Sequence, residues 1–124
     1  MSLVLVVDDE PSGREYVTDL LELKGHDVVP ACDGPSALRC ITQTRPDCVL
    51  LDLSMPGMSG QEVLAEIRRI DGGPRLPVVM LTASASHDQA WRAWSAGVDY
   101  FLAKPFDPDQ LTRVVQYLAT GQHV

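Results

Sequence analysis

The chain predicts an α/β fold: a doubly wound parallel sheet of five strands with five helices. Five short apolar runs alternate with five segments of helical period, the order produced when helices link parallel strands. The runs are nearly continuous in their apolar character, as expected of strands covered on both faces. Right-handed crossovers then bring the strand ends to one edge of the sheet, where open α/β sheets place their chemistry.

The first run, Leu3 to Val7, leads into Asp8 and Asp9. From Pro11 to Lys24 the apolar residues Tyr16, Val17, Leu20, Leu21 and Leu23 mark one amphipathic helix, started by Pro11 or Ser12 and stopped by Gly25. Asp27 to Ala31 is the second strand and Pro35 to Thr44 the second helix. Cys48 to Leu51 leads into Asp52, and Gly60 to Ile70 is the third helix. Asp71-Gly72-Gly73-Pro74 reads as a loop. Val78 to Leu81 leads into Thr82, and a helix over about His87 to Ala96 stops at Gly97. Tyr100 to Ala103 leads into Lys104, and the last helix, Pro108 to Thr120, lies between an Asp107 cap and Gly121.

At 124 residues the expectation is one domain over 1–124, with its core at about 3–118 and no output domain. A formal net charge of -7 disfavours direct nucleic-acid contact and favours a basic partner or a cation. No apolar run approaches the roughly 20 residues that span a bilayer, so a cytoplasmic protein without membrane insertion is expected. Cys32, Cys40 and Cys48 are odd in number and lack C-x-x-C spacing. They read as small buried side chains in a reducing compartment.

Asp8, Asp9 and Asp52 at one edge would repel one another unless a cation lay between them. Oxygen-only ligands without His or Cys suit Mg²⁺. Helix capping by Asp8 and Asp9 would leave Asp52 and Lys104 unexplained. With such a cation, Asp52 is placed to attack phosphorus, while Lys104 and the Thr82 hydroxyl would meet the phosphoryl oxygens.

From about Leu3 to Leu118 the chain resembles the receiver domains of two-component response regulators. The resemblance is carried, in order, by Val7-Asp8-Asp9-Glu10-Pro11, by Leu51-Asp52-Leu53-Ser54-Met55-Pro56-Gly57-Met58-Ser59-Gly60, by Leu81-Thr82-Ala83, by Ala96-Gly97-Val98-Asp99-Tyr100 and by Lys104-Pro105-Phe106. It implies the flavodoxin-like strand order 2-1-3-4-5. Asp52 would be the phosphoacceptor, with Asp9, Asp52 and the Ser54 carbonyl as direct Mg²⁺ ligands and Asp8 acting through water. Thr82 and Lys104 would contact the phosphoryl group, and Lys104-Pro105 would be cis. Thr82 and Phe101 would form the switch, although Phe101 lacks the hydroxyl of the Tyr common in the family, and Tyr100 should face the other side of the strand. Ser54 and Ser84 occupy positions that influence water access to the acyl phosphate.

Such a protein is a signalling phosphoacceptor, not an enzyme in the ordinary sense, though it assists its own phosphorylation and dephosphorylation. Its partners would be a histidine kinase or His-phosphotransfer protein and a downstream effector. The output surface would be formed by the fourth helix, fifth strand and fifth helix, a face that could also pair two copies in a homodimer. On the fourth helix, Trp94 is assigned to the core and Trp91 is the better placed for a partner. Three other readings are open: an aspartyl hydrolase of the haloacid dehalogenase type, a flavin-binding flavodoxin-like protein, and a receiver-like module that works without phosphorylation. The first two fit poorly, because Asp8 lacks a second Asp two positions on and the first strand enters no hydroxyl- and Gly-rich phosphate loop.

Overall fold

A computed structural model of the protein describes residues 2–53, 55–70, 75–82 and 97–120. The strands are β1 (Leu3–Val7), β2 (Asp27–Ala31), β3 (Cys48–Asp52), β4 (Val78–Thr82) and β5 (Tyr100–Ala103). The helices among the described residues are α1 (Pro11–Leu23), α2 (Gly34–Thr44), α3 (Gly60–Ile70) and α4 (Pro108–Thr120). The helix expected over about 87–96, with Trp91 and Trp94, lies outside the described residues. All strands are parallel and ordered β2-β1-β3-β4-β5, as the resemblance implied.

Because side chains alternate across a strand, each apolar run supplies both faces of the sheet. Leu5, Val7, Val49, Leu51, Val78 and Met80 pack on one face with Ala37 and Ile41 of α2 and Val63, Leu64 and Ile67 of α3. Val4, Val6, Cys48, Leu50, Val79 and Leu81 pack on the other with Val17 and Leu21 of α1 and Leu111 and Val115 of α4. Burial on both sides explains the unbroken apolar runs. It also separates Phe101, on the α2–α3 face, from Tyr100, on the α1–α4 face.

Local chemistry sets the helix ends. Asp33 caps α2 by accepting from the Ser36 backbone N–H at 2.9 Å, which starts the helix at Gly34, one residue before the expected Pro35. Ser59 and Glu62 form a reciprocal capping box on α3, each bond 3.2 Å long. The Asp107 carboxylate accepts from the Asp109 N–H at the start of α4. At the end of α1, Gly25 N–H donates to Glu22 and His26 N–H to Leu21, the paired bonds of a Schellman turn. The turn needs the left-handed φ of 88° that Gly25 adopts.

Two sequence expectations are corrected. Leu23 is 82 % exposed and Tyr16 49 % exposed, although both were assigned to the apolar stripe of α1. Leu23 lies about 200° around the helix from the fully buried Leu21, so both cannot face the sheet. Cys32 is exposed and Cys40 half-buried, because Cys32 follows the end of β2; only Cys48 is buried, and burial pushes its thiol up to about 12.

The turn after α1 buries His26, whose Nε2 has no hydrogen-bond partner among the described residues. Burial lowers its pKa, so the fold favours the neutral ring. Above the ordinary value of about 6.5 the ring is neutral in both states; below it the unfolded chain takes up the proton first, and stability falls until the lowered folded pKa is passed. The urea midpoint should therefore be lower at pH 5.5 than at pH 7.5, and His26→Gln should narrow that gap. An unchanged gap in the variant would assign the pH dependence to other groups.

Candidate functional site

The site forms where β1, β3, β4 and β5 end. Asp8 follows β1 directly, while Asp52 and Thr82 are the last residues of β3 and β4; all three are buried, at 4 %, 6 % and 1 % exposure. Asp9 is exposed at the rim. Lys104 follows β5, and its N–H donates to the Thr82 carbonyl at 2.6 Å, continuing the β4–β5 ladder one step. The Lys104-Pro105 bond is cis, in agreement with the expectation. Ser54 and Ser84 lie outside the described residues.

Carboxylate oxygens of Asp8, Asp9 and Asp52 all lie within 4.8 Å of one another. Lys104 Nζ stands 3.8 Å from Asp8 Oδ2 and 3.8 Å from Asp52 Oδ2. At such spacings each like-charge pair costs on the order of 3 kcal/mol at an effective dielectric of about 20. One ammonium against three carboxylates leaves two negative charges, which a divalent cation would balance. The donors are all oxygen, and Asp9 opens to solvent, so the cluster suits a hard cation that retains water.

Asp8 is fixed from several sides. Its Oδ1 accepts from Glu10 N–H at 2.9 Å, and its carbonyl accepts from Arg14 Nη1 at 2.7 Å. Its carboxylate turns the chain into α1 without capping the helix, since the N-cap is Glu10 and makes no side-chain cap bond. Arg14 is a basic neighbour of the site, besides Lys104, that sequence reasoning missed. The available signal was a cation in the first turn of α1, where the helix dipole disfavours one unless it has a local partner.

Gly60, which closes the motif after Asp52 and starts α3, sets the position of Asp52. A Cβ at Gly60 would collide with the Asp52 carbonyl oxygen and come within 2.8 Å of Leu53 Cα. Its N–H donates to the Leu53 carbonyl, joining α3 to the end of β3. Met55 and Met58 in the intervening loop pack on the α2–α3 core. Beside Lys104 opens a groove of about 410 Å³ bordered by Asp8, Glu10, Tyr16 and Phe106. The Tyr16 and Phe106 rings stack with centroids 6.4 Å apart, which gives the exposed Tyr16 a local partner.

This arrangement, with acidic residues after β1 and at the end of β3 and a lysine after β5, coincides with a known family. Residues 4–116 match the family model described as the response regulator receiver domain. The chain belongs to that family. The receiver is 41 % identical over 113 residues to the DNA-binding response regulator MtrA of Mycolicibacterium smegmatis, covering 91 % of this chain and 48 % of MtrA. It is 34 % identical over 118 residues to the DNA-binding dual master transcriptional regulator RpaA of Synechocystis, covering 95 % of this chain and 49 % of RpaA. The chain thus spans about half the length of these relatives. Among solved structures, the chemotaxis protein CheY4 of Vibrio cholerae superposes with a TM-score of 0.89 at 33 % identity, covering 95 % of this chain and 98 % of CheY4. The Francisella response regulator 1452 receiver domain gives a TM-score of 0.90 at 30 % identity, covering 98 % of each chain. No helix among the described residues is long and apolar enough to cross a membrane.

The contact at Gly60 gives a direct test of how the receiver holds Asp52. Gly60→Ala should destabilise the protein by about 1–3 kcal/mol in urea unfolding, the usual cost of overpacking. It should also reduce the rise in melting temperature on adding a divalent cation, because the added methyl pushes on the Asp52 main chain from which a carboxylate of the cluster projects. An unchanged rise would show that cation binding does not depend on this close approach.

Proposed function

We propose that Asp52 is the phosphoacceptor of this receiver and that a histidine kinase or His-phosphotransfer protein is its donor. The observation that carries the reading is the buried Asp52 carboxylate held 3.8 Å from Lys104 inside a cluster of three carboxylates. In the transfer, an Asp52 oxygen bonds to phosphorus as the bond from phosphorus to the donor imidazole nitrogen breaks, and the imidazole regains a proton. The Lys104 ammonium and the Thr82 hydroxyl donate to phosphoryl oxygens, while Asp8 and Asp9 keep the site selective for a cation. Mg²⁺, held by Asp9, Asp52 and the Ser54 carbonyl with Asp8 acting through water, would supply neutralising charge to the phosphoryl oxygens.

In this reading residues 3–118 act as one signalling unit, not as a turnover enzyme. Thr82 and Phe101 form the switch, and the output surface comprises residues 87–96, β5 and α4. That surface would meet a downstream effector or a second copy of the chain. DNA binding is named for MtrA and RpaA; for this chain, the net charge of -7 favours protein contacts over direct contact with nucleic acid. A cytoplasmic setting agrees with its three thiols, none of them in a C-x-x-C pair.

A small phosphodonor with Mg²⁺ should place one hydroxylamine-labile phosphoryl group on the protein. Asp52→Asn and excess chelator should each abolish the label. Asp9→Ala should weaken Mg²⁺ binding more than Asp8→Ala. Lys104→Ala should still be labelled, about tenfold more slowly, equivalent to about 1.4 kcal/mol of barrier, and should bind its partner no better than the unmodified protein. Full labelling of Asp52→Asn would remove Asp52 from the mechanism, and full labelling in chelator would remove the metal.

A further inference from the structure

At the sheet edge opposite the site, one guanidinium joins three segments of chain. Arg68 of α3 donates through Nη1 to the Leu76 carbonyl at 2.6 Å, through Nε and Nη2 to the Gly97 carbonyl at 3.0 and 2.7 Å, and through Nη2 to Asp99 Oδ2 at 2.9 Å. Arg75 adds a further donor to the Gly97 carbonyl and an ion pair to Asp99 Oδ1 at 3.5 Å. Gly97 has a φ of 96°, and a Cβ there would stand 3.4 Å from Arg68 Nε. A planar fork of several donors suits this convergence; a lysine ammonium could not reproduce it.

Asp99 couples this cluster to the sheet. Its N–H donates to the Val78 carbonyl at 2.9 Å, while its Oδ2 accepts from the Val78 N–H at 2.8 Å. The residue before β5 is thus tied through both main chain and side chain to the first residue of β4. From there the ladder pairs Val79 with Tyr100, Met80 with Phe101, Leu81 with Leu102 and Thr82 with Ala103, and ends at Lys104. With only four residues, β5 at the sheet edge has few ladder bonds of its own to define register. A slip of one residue would turn every side chain to the opposite face and carry Lys104 off the site.

We propose that Arg68 and Asp99 are positioning residues for phosphoryl transfer. They fix the β4–β5 register from the far edge and so place Lys104 against Asp52, five residues or roughly 16 Å of extended strand away. This rests on the role given above to Lys104. The clamp holds β4 and β5, whereas Asp8 and Asp9 follow β1 and Asp52 ends β3. It therefore makes a prediction that a general loss of stability does not: Mg²⁺ affinity and phosphorylation rate should separate.

The test compares Arg68→Met with the parent at a temperature where circular dichroism shows both to be folded. Mg²⁺ affinity is read by calorimetry and labelling rate with a small phosphodonor at saturating Mg²⁺. Arg68→Met should bind Mg²⁺ like the parent but be labelled at least about fivefold more slowly, within the ~100-fold that an ångström-scale misplacement can cost. In a Lys104→Ala background the same change should cause no further slowing. Asp99→Asn keeps the acceptor for Val78 N–H but loses the charge, and should fall in between. Arg69→Met, which removes only the exposed pair with Glu66, should match the parent. If Arg68→Met does not fold, Arg68→Lys and Asp99→Asn are judged by the same criteria. A parent-like labelling rate, a parallel loss of Mg²⁺ affinity, or a loss that multiplies with Lys104→Ala overturns the clamp. Parent-like labelling of Lys104→Ala instead overturns the role of Lys104 itself.

Discussion

Parallel pairing of β1 with β3, and of β3 with β4, at the registers Val7↔Leu51 and Asp52↔Leu81 makes segments far apart in sequence stop at one edge. The carboxylates then need no long loops to meet, since each is presented by a strand whose preceding residues are buried. Those apolar contacts hold the charged residues in place, because moving Asp52 would require disturbing Leu50 and Leu51, both fully buried. The core and the site are therefore parts of one mechanical element. The same coupling explains why Gly60, a residue without side-chain chemistry, bears on the position of Asp52.

The site is built against its own electrostatics. Three carboxylates share a small volume, two of them buried, with a lysine in ion-pair distance of two. Folding tolerates this because most stabilisation comes from the two apolar layers, whose burial is insensitive to the charge at the edge. A cluster that is under-neutralised by the protein has a standing preference for cations and for groups that bring cations with them. Proteins commonly concede stability at functional sites in this way.

The division of the molecule into two faces bears on how a change at the site could travel. Thr82 is joined through its carbonyl to Lys104, while Phe101, three residues back on β5, packs on the α2–α3 face. Tyr100 points the other way, and its hydroxyl accepts from Gln110 of α4 at 3.3 Å. A displacement of β5 along its length would be felt on both faces at once. With Phe in place of a hydroxyl-bearing ring at 101, any response on that face is a matter of packing and not of a side-chain hydrogen bond.

Among the described residues, element type and order were legible in the sequence because each rests on local periodicity: unbroken apolar runs for doubly covered strands, three- and four-residue steps for helices, and Asp107 and Gly25 at boundaries, whereas the Asp33 cap that starts α2 one residue early was not foreseen. The convergence of Asp8, Asp9, Asp52, Thr82 and Lys104 was legible too, since parallel strands must end together once the connections are helical. The strand order came from family resemblance, as periodicity fixes which face a residue uses but not which strand lies beside it. Only the tertiary structure decided that Leu23 and Tyr16 lie outside the core, that Cys32 is exposed, that Arg14 grips the Asp8 carbonyl, and that Arg68 meets Gly97 and Asp99 across 29 and 31 residues. Such contacts depend on how wide a helix face the sheet covers and on which distant segments the pairing brings together, and neither quantity is written in any local stretch of chain.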